Sequence, residues 1–105
     1  MRRLSHMLSL VCLASLAPLA GAADGVTHVR VEGQLDVGTL GLLERACDSA
    51  EAAGHGALIL DIDTPGGEIE LMWQLSRRLD RAAEDGLLTT AWVHDRATSA
   101  GALLA

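Results

Sequence analysis

Leu58-Ile59-Leu60-Asp61-Ile62-Asp63-Thr64-Pro65-Gly66-Gly67 decides how this chain is read. An apolar run ends in two carboxylates, a stiff Thr-Pro pair and two glycines, and a helical pattern follows. That order describes a buried parallel strand that delivers a backbone-lined turn at its carboxyl end. Pro65 fixes its own φ and pushes Thr64 toward an extended conformation, so the turn leaves the strand from a set position. Glycines let peptide N–H groups turn toward a ligand in conformations that a side chain forbids. A helix starting near Glu68 would add its positive dipole end beneath them. Such a turn suits an oxyanion, a phosphate or a carboxylate, and the turn alone does not choose among them.

Upstream, Val26 to Glu32 alternates, with Val29 and Val31 on one side and His28, Arg30 and Glu32 on the other. This predicts a half-buried strand. From about Asp36 to Ala53, Leu40, Leu43, Cys47 and Ala50 recur at helical spacing, Glu44, Arg45, Asp48 and Glu51 fill the other side, and Gly54 and Gly56 close the element. The run Ala57 to Ile62 is continuous rather than alternating, which predicts a strand covered by helices on both faces.

Downstream, a helix is expected from about Glu68 to Glu84. Glu68 and Glu70 load its first turn and Arg77, Arg78 and Arg81 lie toward its end, matching the macrodipole. Ile69, Met72, Trp73, Ser76 and Leu79, widened by Leu71 and Leu75, are assigned to its core face. Leu87 to Val93 reads as a third strand, His94 to Thr98 as a polar loop, and Ser99 to Ala105 as the start of a buried helix. The order β-α-β-α-β-α predicts an α/β fold with parallel strands and right-handed crossover helices.

The bulk numbers bound the function. The chain has 105 residues and a net charge of −6, enough for one domain. All 8 basic residues are arginine. An acidic chain without a basic patch argues against nucleic acid as a partner. Arg2 and Arg3, the apolar stretch Met7 to Leu19 and the small residues Ala20-Gly21-Ala22 read as a signal peptide over residues 1–22. Cys12 falls inside it, so Cys47 is the only cysteine beyond it and is expected as a packed thiol without a disulfide. Residues 23–105 end in an apolar helix with no cap or charged last turn. About 83 residues with an open apolar edge bury little surface, so this part is read as the truncated N-terminal part of a larger domain.

Two strand ends carry candidate chemistry, Gly66-Gly67 and Thr98-Ser99-Ala100-Gly101. In a parallel sheet both lie on one edge and can face each other across a crevice. A serine at a helix start beside a glycine turn is the layout of a nucleophile and an oxyanion hole. Asp61 and Asp63 are expected to leave the strand on opposite faces and to cap or meet solvent, so no metal is expected. Ser99 alone would fit a helix cap. His28 and His55 are placed at strand starts on the far edge, and His94 in the loop before Ser99.

Leu60-Asp61-Ile62-Asp63-Thr64-Pro65-Gly66-Gly67 followed by Asp95-Arg96-Ala97-Thr98-Ser99-Ala100-Gly101-Ala102 resembles the NfeD family, membrane-bound serine proteases of the ClpP class. The resemblance covers residues 26 to 105. It implies a partial ClpP/crotonase-like fold and an extracytoplasmic, periplasmic-side endopeptidase with a Ser-Lys dyad. It assigns Ser99 as nucleophile and Gly66, Gly67 and Ala100 to the oxyanion hole, and it implies no cofactor. Substrates would be hydrophobic peptide segments or membrane proteins, partners stomatin-like, and the full-length form membrane-associated and homo-oligomeric. The family's lysine lies downstream of the serine, and this sequence has none, so the chain alone is expected to be inactive. The alternatives are a non-catalytic truncated interaction module and a crotonase-like acyl-CoA enzyme. A secretory signal argues against the latter.

Overall fold

The computed structural model describes residues 25–105. The expectations for a signal peptide over 1–22 and for Cys12 lie outside these residues. Six elements alternate: β1 (Val26–Glu32), α1 (Val37–Ala53), β2 (Ala57–Thr64), α2 (Ile69–Glu84), β3 (Leu88–Ala97) and α3 (Ala100–Leu104). The strands form one parallel sheet in the order β1-β2-β3. Right-handed crossovers that advance in one direction put successive helices on the same face, and α1 and α2 pack against each other there.

The core lies on that face. Val29 and Val31 of β1 pair across the ladder with Leu60 and Ile62 of β2. They pack with Leu43, Cys47 and Ala50 of α1, Met72, Leu75 and Ala82 of α2, and Ala100 and Leu104 of α3. The helical spacing of Leu43, Cys47 and Ala50 is what aims them together. Asp36 caps α1 in a reciprocal box with Thr39, its carboxylate accepting the Thr39 amide at 3.0 Å. Gly54 ends α1 at φ 68°, a conformation that favours glycine.

Four expectations need correction. Among the described residues, helices cover one face of β2 rather than two. His28, Arg30, Ile59, Asp61, Asp63 and Trp92 populate the other face. Asp61 and Asp63 share that face, because side chains two apart on a strand point the same way; the ladder pairs them with Arg30 and Glu32. The third strand runs on to Ala97, through the segment expected as a loop. Its ladder slips between Ile62 and Thr64, where Ile62 pairs with Val93 but Thr64 with Ala97. The extra residues make the irregularity that lets β3 keep pairing.

The core stripe of α2 is also rotated from its expected position. Leu71, Met72, Leu75, Arg78 and Ala82 are buried, whereas Ile69 and Trp73 are exposed. Arg78 is buried because α1 offers it two acids, Asp48 at 2.9 Å and Glu51 at 3.3 Å. Burial by itself would lower its pKa. The hydrogen bonds to Asp48 and Glu51, together with the nearby Cys47, outweigh that and leave it raised. Cys47 is a free, buried thiol, as expected. Burial pushes its pKa up, with Arg78 acting against the shift.

Candidate active site

The carboxyl ends of the three strands bring three turns together. At the end of β1, the Gly33 amide donates to the Asp63 carbonyl at 3.0 Å and the Leu35 amide to the Gly66 carbonyl at 2.9 Å. The Glu68 amide returns a bond to the Leu35 carbonyl at 3.3 Å. Leu35 is fully buried beneath the glycine turn. A Cβ on Gly67 would lie 2.2 Å from the Leu35 carbonyl oxygen, so only glycine fits there. All peptide bonds among the described residues are trans, and in a trans peptide the C=O and N–H point opposite ways. Anchoring the Gly66 carbonyl on Leu35 therefore aims the Gly67 N–H away from β1, toward the β3 side.

The end of β3 stands on that side. The Thr98 amide donates to the Thr64 carbonyl at 3.2 Å and fixes the turn that carries Ser99. Ser99 has φ 53° and ψ −126°, the one positive φ among the described non-glycine residues. Holding a side-chain-bearing residue there costs about 1–3 kcal/mol, and such strain collects at functional sites. Ser99 is exposed, and its hydroxyl makes no capping bond to α3. The cap reading of this residue is thus not realised. Gly66, at φ +105°, sits directly against it: a Cβ there would lie 2.9 Å from Ser99 Cβ, 2.9 Å from the Thr98 carbonyl oxygen and 3.3 Å from the Ala100 nitrogen.

The four residues singled out from the sequence, Gly66, Gly67, Ser99 and Ala100, therefore converge. Their amides differ in occupancy. The Gly66 amide is engaged by the Thr64 hydroxyl at 3.1 Å. The Gly67 and Ala100 amides make no hydrogen bond among the described residues. Thr64, read from sequence only as a backbone constraint before Pro65, is the residue that sequence reasoning underused. Its hydroxyl was the available signal.

Among the described residues no titratable side chain hydrogen-bonds to Ser99. His94 lies on the open face, its Nδ1 3.6 Å from Asp61 Oδ1. His28 Nε2 is 3.5 Å from Asp61 Oδ2 and Arg30 is 3.8 Å from the same oxygen. His28 is thus inside β1 against a buried carboxylate rather than at a free strand start. His55 pins the start of β1 through Thr27 Oγ1 at 2.8 Å. Among the described residues no group of three His, Cys, Asp or Glu could hold a metal ion, and no helix is long and apolar enough to cross a membrane.

Comparison with known proteins places the fold. The family model described as NfeD1b, N-terminal domain, matches residues 25–105. The chain is 35% identical over 77 residues to membrane protein NfeD1b of Bacillus subtilis (strain 168), an alignment covering 73% of this chain and 17% of that protein. The fold resembles a mutant of the 1510-N membrane-bound stomatin-specific protease in complex with a substrate peptide: TM-score 0.71, 26% identity, 79% of this chain and 38% of that one. It also resembles the 1510-N membrane protease specific for a stomatin homolog from Pyrococcus horikoshii: TM-score 0.65, 26% identity, 78% of this chain and 42% of that one. The chain thus spans less than half the length of each of these relatives. With the match running from the start of β1 to the end of α3, it belongs to the NfeD1b N-terminal-domain family.

Proposed function

We propose that this chain is the serine-bearing part of an extracytoplasmic endopeptidase of the NfeD/ClpP class. Residues 1–22 act as a signal peptide, and 23–105 form the N-terminal part of a ClpP-like protease domain. Ser99 is the nucleophile. Its Oγ attacks the scissile carbonyl, and the Gly67 and Ala100 N–H groups receive the charge that develops on the carbonyl oxygen. Gly66 supplies the close approach between the two turns. The proton of Ser99 needs a base, and a lysine beyond these 105 residues fills that role in a Ser-Lys dyad. Apolar peptide segments of membrane proteins are the substrate, a stomatin-like protein is a partner, and the complete protein is a membrane-associated homo-oligomer on the periplasmic side.

One observation carries this reading. Ser99 is held at φ 53° with its hydroxyl uncommitted, against a glycine turn whose Gly67 amide is free. A serine that served only as a helix cap would bond to the helix instead.

A boronate built on an apolar peptide tests the assignment without needing a base, since it accepts Ser99 Oγ as a fourth ligand and mimics the tetrahedral intermediate. The expected result is an adduct seen by native mass spectrometry and lost in Ser99→Ala. No adduct in the wild-type chain would sink the nucleophile reading. Peptide turnover by the 105-residue chain, abolished by Ser99→Ala, would instead overturn the need for an external lysine. A non-catalytic interaction module is the second reading, favoured by exposed Leu88, Trp92 and Val93 on β3.

A further inference from the structure

We propose that Thr64 is the positioning residue that sets the Gly66-Gly67 turn against the Ser99 turn, with its hydroxyl holding the first and its carbonyl and methyl seating the second. This rests on the assignment of Ser99 and Gly67 made above.

Thr64 is the last residue of β2 and is fully buried. Its Oγ1 donates to the Gly33 carbonyl at the end of β1 and accepts the Gly66 amide at 3.1 Å. The hydroxyl has a single proton, so the Gly66 carbonyl, 3.4 Å away, is the weaker of two competing acceptors. Its main-chain carbonyl accepts the Thr98 amide at 3.2 Å. Its Cγ2 occupies the space next to Gly101 in α3, where a Cβ would approach it to 2.4 Å. Through its side chain and its carbonyl together, one residue therefore touches the end of β1, the start of α3 and both turns of the site.

The residue type follows from these contacts. A hydroxyl is both donor and acceptor, so it can satisfy a carbonyl on β1 and an amide in the glycine turn at once. Valine has the same branching without the hydroxyl, and serine has the hydroxyl without the methyl. The two halves of the proposal can therefore be separated. Thr64→Val leaves the seat of α3 and frees the Gly66 amide. Thr64→Ser keeps the latch on the glycine turn and opens space beside Gly101.

Amide hydrogen exchange followed by NMR reads the latch directly. In Thr64→Val the Gly66 amide is expected to exchange about tenfold faster than in the wild type, while amides of α1 around Cys47 keep their rates. In Thr64→Ser the Gly66 amide is expected to keep its protection. Affinity for the peptide boronate should fall about tenfold in Thr64→Val and be restored in Thr64→Ser, a rescue that loss of packing alone would not give. Unchanged Gly66 exchange in Thr64→Val overturns the proposal, as does a Thr64→Ser variant as perturbed as Thr64→Val.

The exchange result decides the role of Thr64 by itself. A wild-type chain that shows the expected exchange but binds no boronate defeats the nucleophile reading instead. Should Thr64→Val not fold, the wild-type Thr64 hydroxyl proton carries the decision. It is expected to exchange slowly and to show a nuclear Overhauser contact to the Gly66 amide, and its absence overturns the proposal.

Discussion

The two faces of this sheet are built from the same three strands and obey different rules. On the covered face Val31, Leu58, Leu60 and Ile62 are each no more than 2% exposed and meet three helices. On the open face the same strands present His28, Arg30, Asp61, Asp63, Trp92, His94 and Arg96. Most of its polar groups form loose pairs, such as Arg96 and Asp63 at 3.7 Å, beside one close pair, Arg30 and Glu32 at 3.0 Å. The contrast teaches where stability resides. Burying a leucine fully is worth about 1.5–3 kcal/mol, whereas a half-exposed ion pair is worth about 0–1 kcal/mol. One face folds the domain, and the other is free to be written by other constraints.

Leu60→Ala should show this most clearly. It removes a side chain that is 2% exposed and leaves a cavity under α1 and α2, for an expected loss of about 2–5 kcal/mol in chemical denaturation. A smaller loss than that would mean that the helices do not close on this face in solution. Gly67→Ala is expected to cost about 1–3 kcal/mol, because its Cβ meets the Leu35 backbone, which has no rotamer to change. A neutral result would show that the Leu35–Gly67 bridge is not formed.

Trp92→Ala, on the open face, should shift the same transition by less than about 0.5 kcal/mol. A loss approaching that of Leu60→Ala would mean that the open face is covered after all. The weakest effect concerns Cys47 and belongs to the covered face. Its pKa in the folded chain is raised above the ordinary thiol value of 9.0. The folded state thus holds the thiol proton more tightly than the unfolded state does. The stabilisation is fully present below pH 9 and is lost as pH rises through the folded value. Thermal unfolding from pH 8 upward should show this decline in the wild type and a shallower one in Cys47→Ala. Parallel declines would place the thiol in contact with water.

The covered face was also the legible one. Alternation at Val29 and Val31, and helical spacing at Leu43, Cys47 and Ala50, are periodic signals that burial enforces. The pairing of Gly66-Gly67 with Ser99 could be foreseen because a parallel sheet sends every strand's carboxyl end to one edge. Arg78 was not foreseen, since its burial depends on Asp48 and Glu51, which lie on another helix about 30 residues earlier. Ile69 and Trp73 were misassigned because hydrophobicity shows that α2 has an apolar arc but not which part of that arc meets the sheet. The β3 extension through His94, Asp95 and Arg96 was hidden for a related reason. Its ladder is dictated by β2, and polar residues can continue a strand whose outer face nothing covers. The shared face of Asp61 and Asp63 follows from strand period alone.

The hydrogen bond from Thr98 to Thr64 has a consequence for how the domain comes together. Gly33, Gly66 and Thr98 belong to three successive strand ends, each about one crossover apart in sequence. The contacts of Gly33 and Gly66 need only the ends of β1 and β2, whereas the Thr98 bond also needs loop closure to bring the end of β3 to that edge. The backbone of Ser99 therefore acquires its left-handed conformation only when the third strand has docked. A chain still missing β3 therefore carries the glycine turn without a serine to face it.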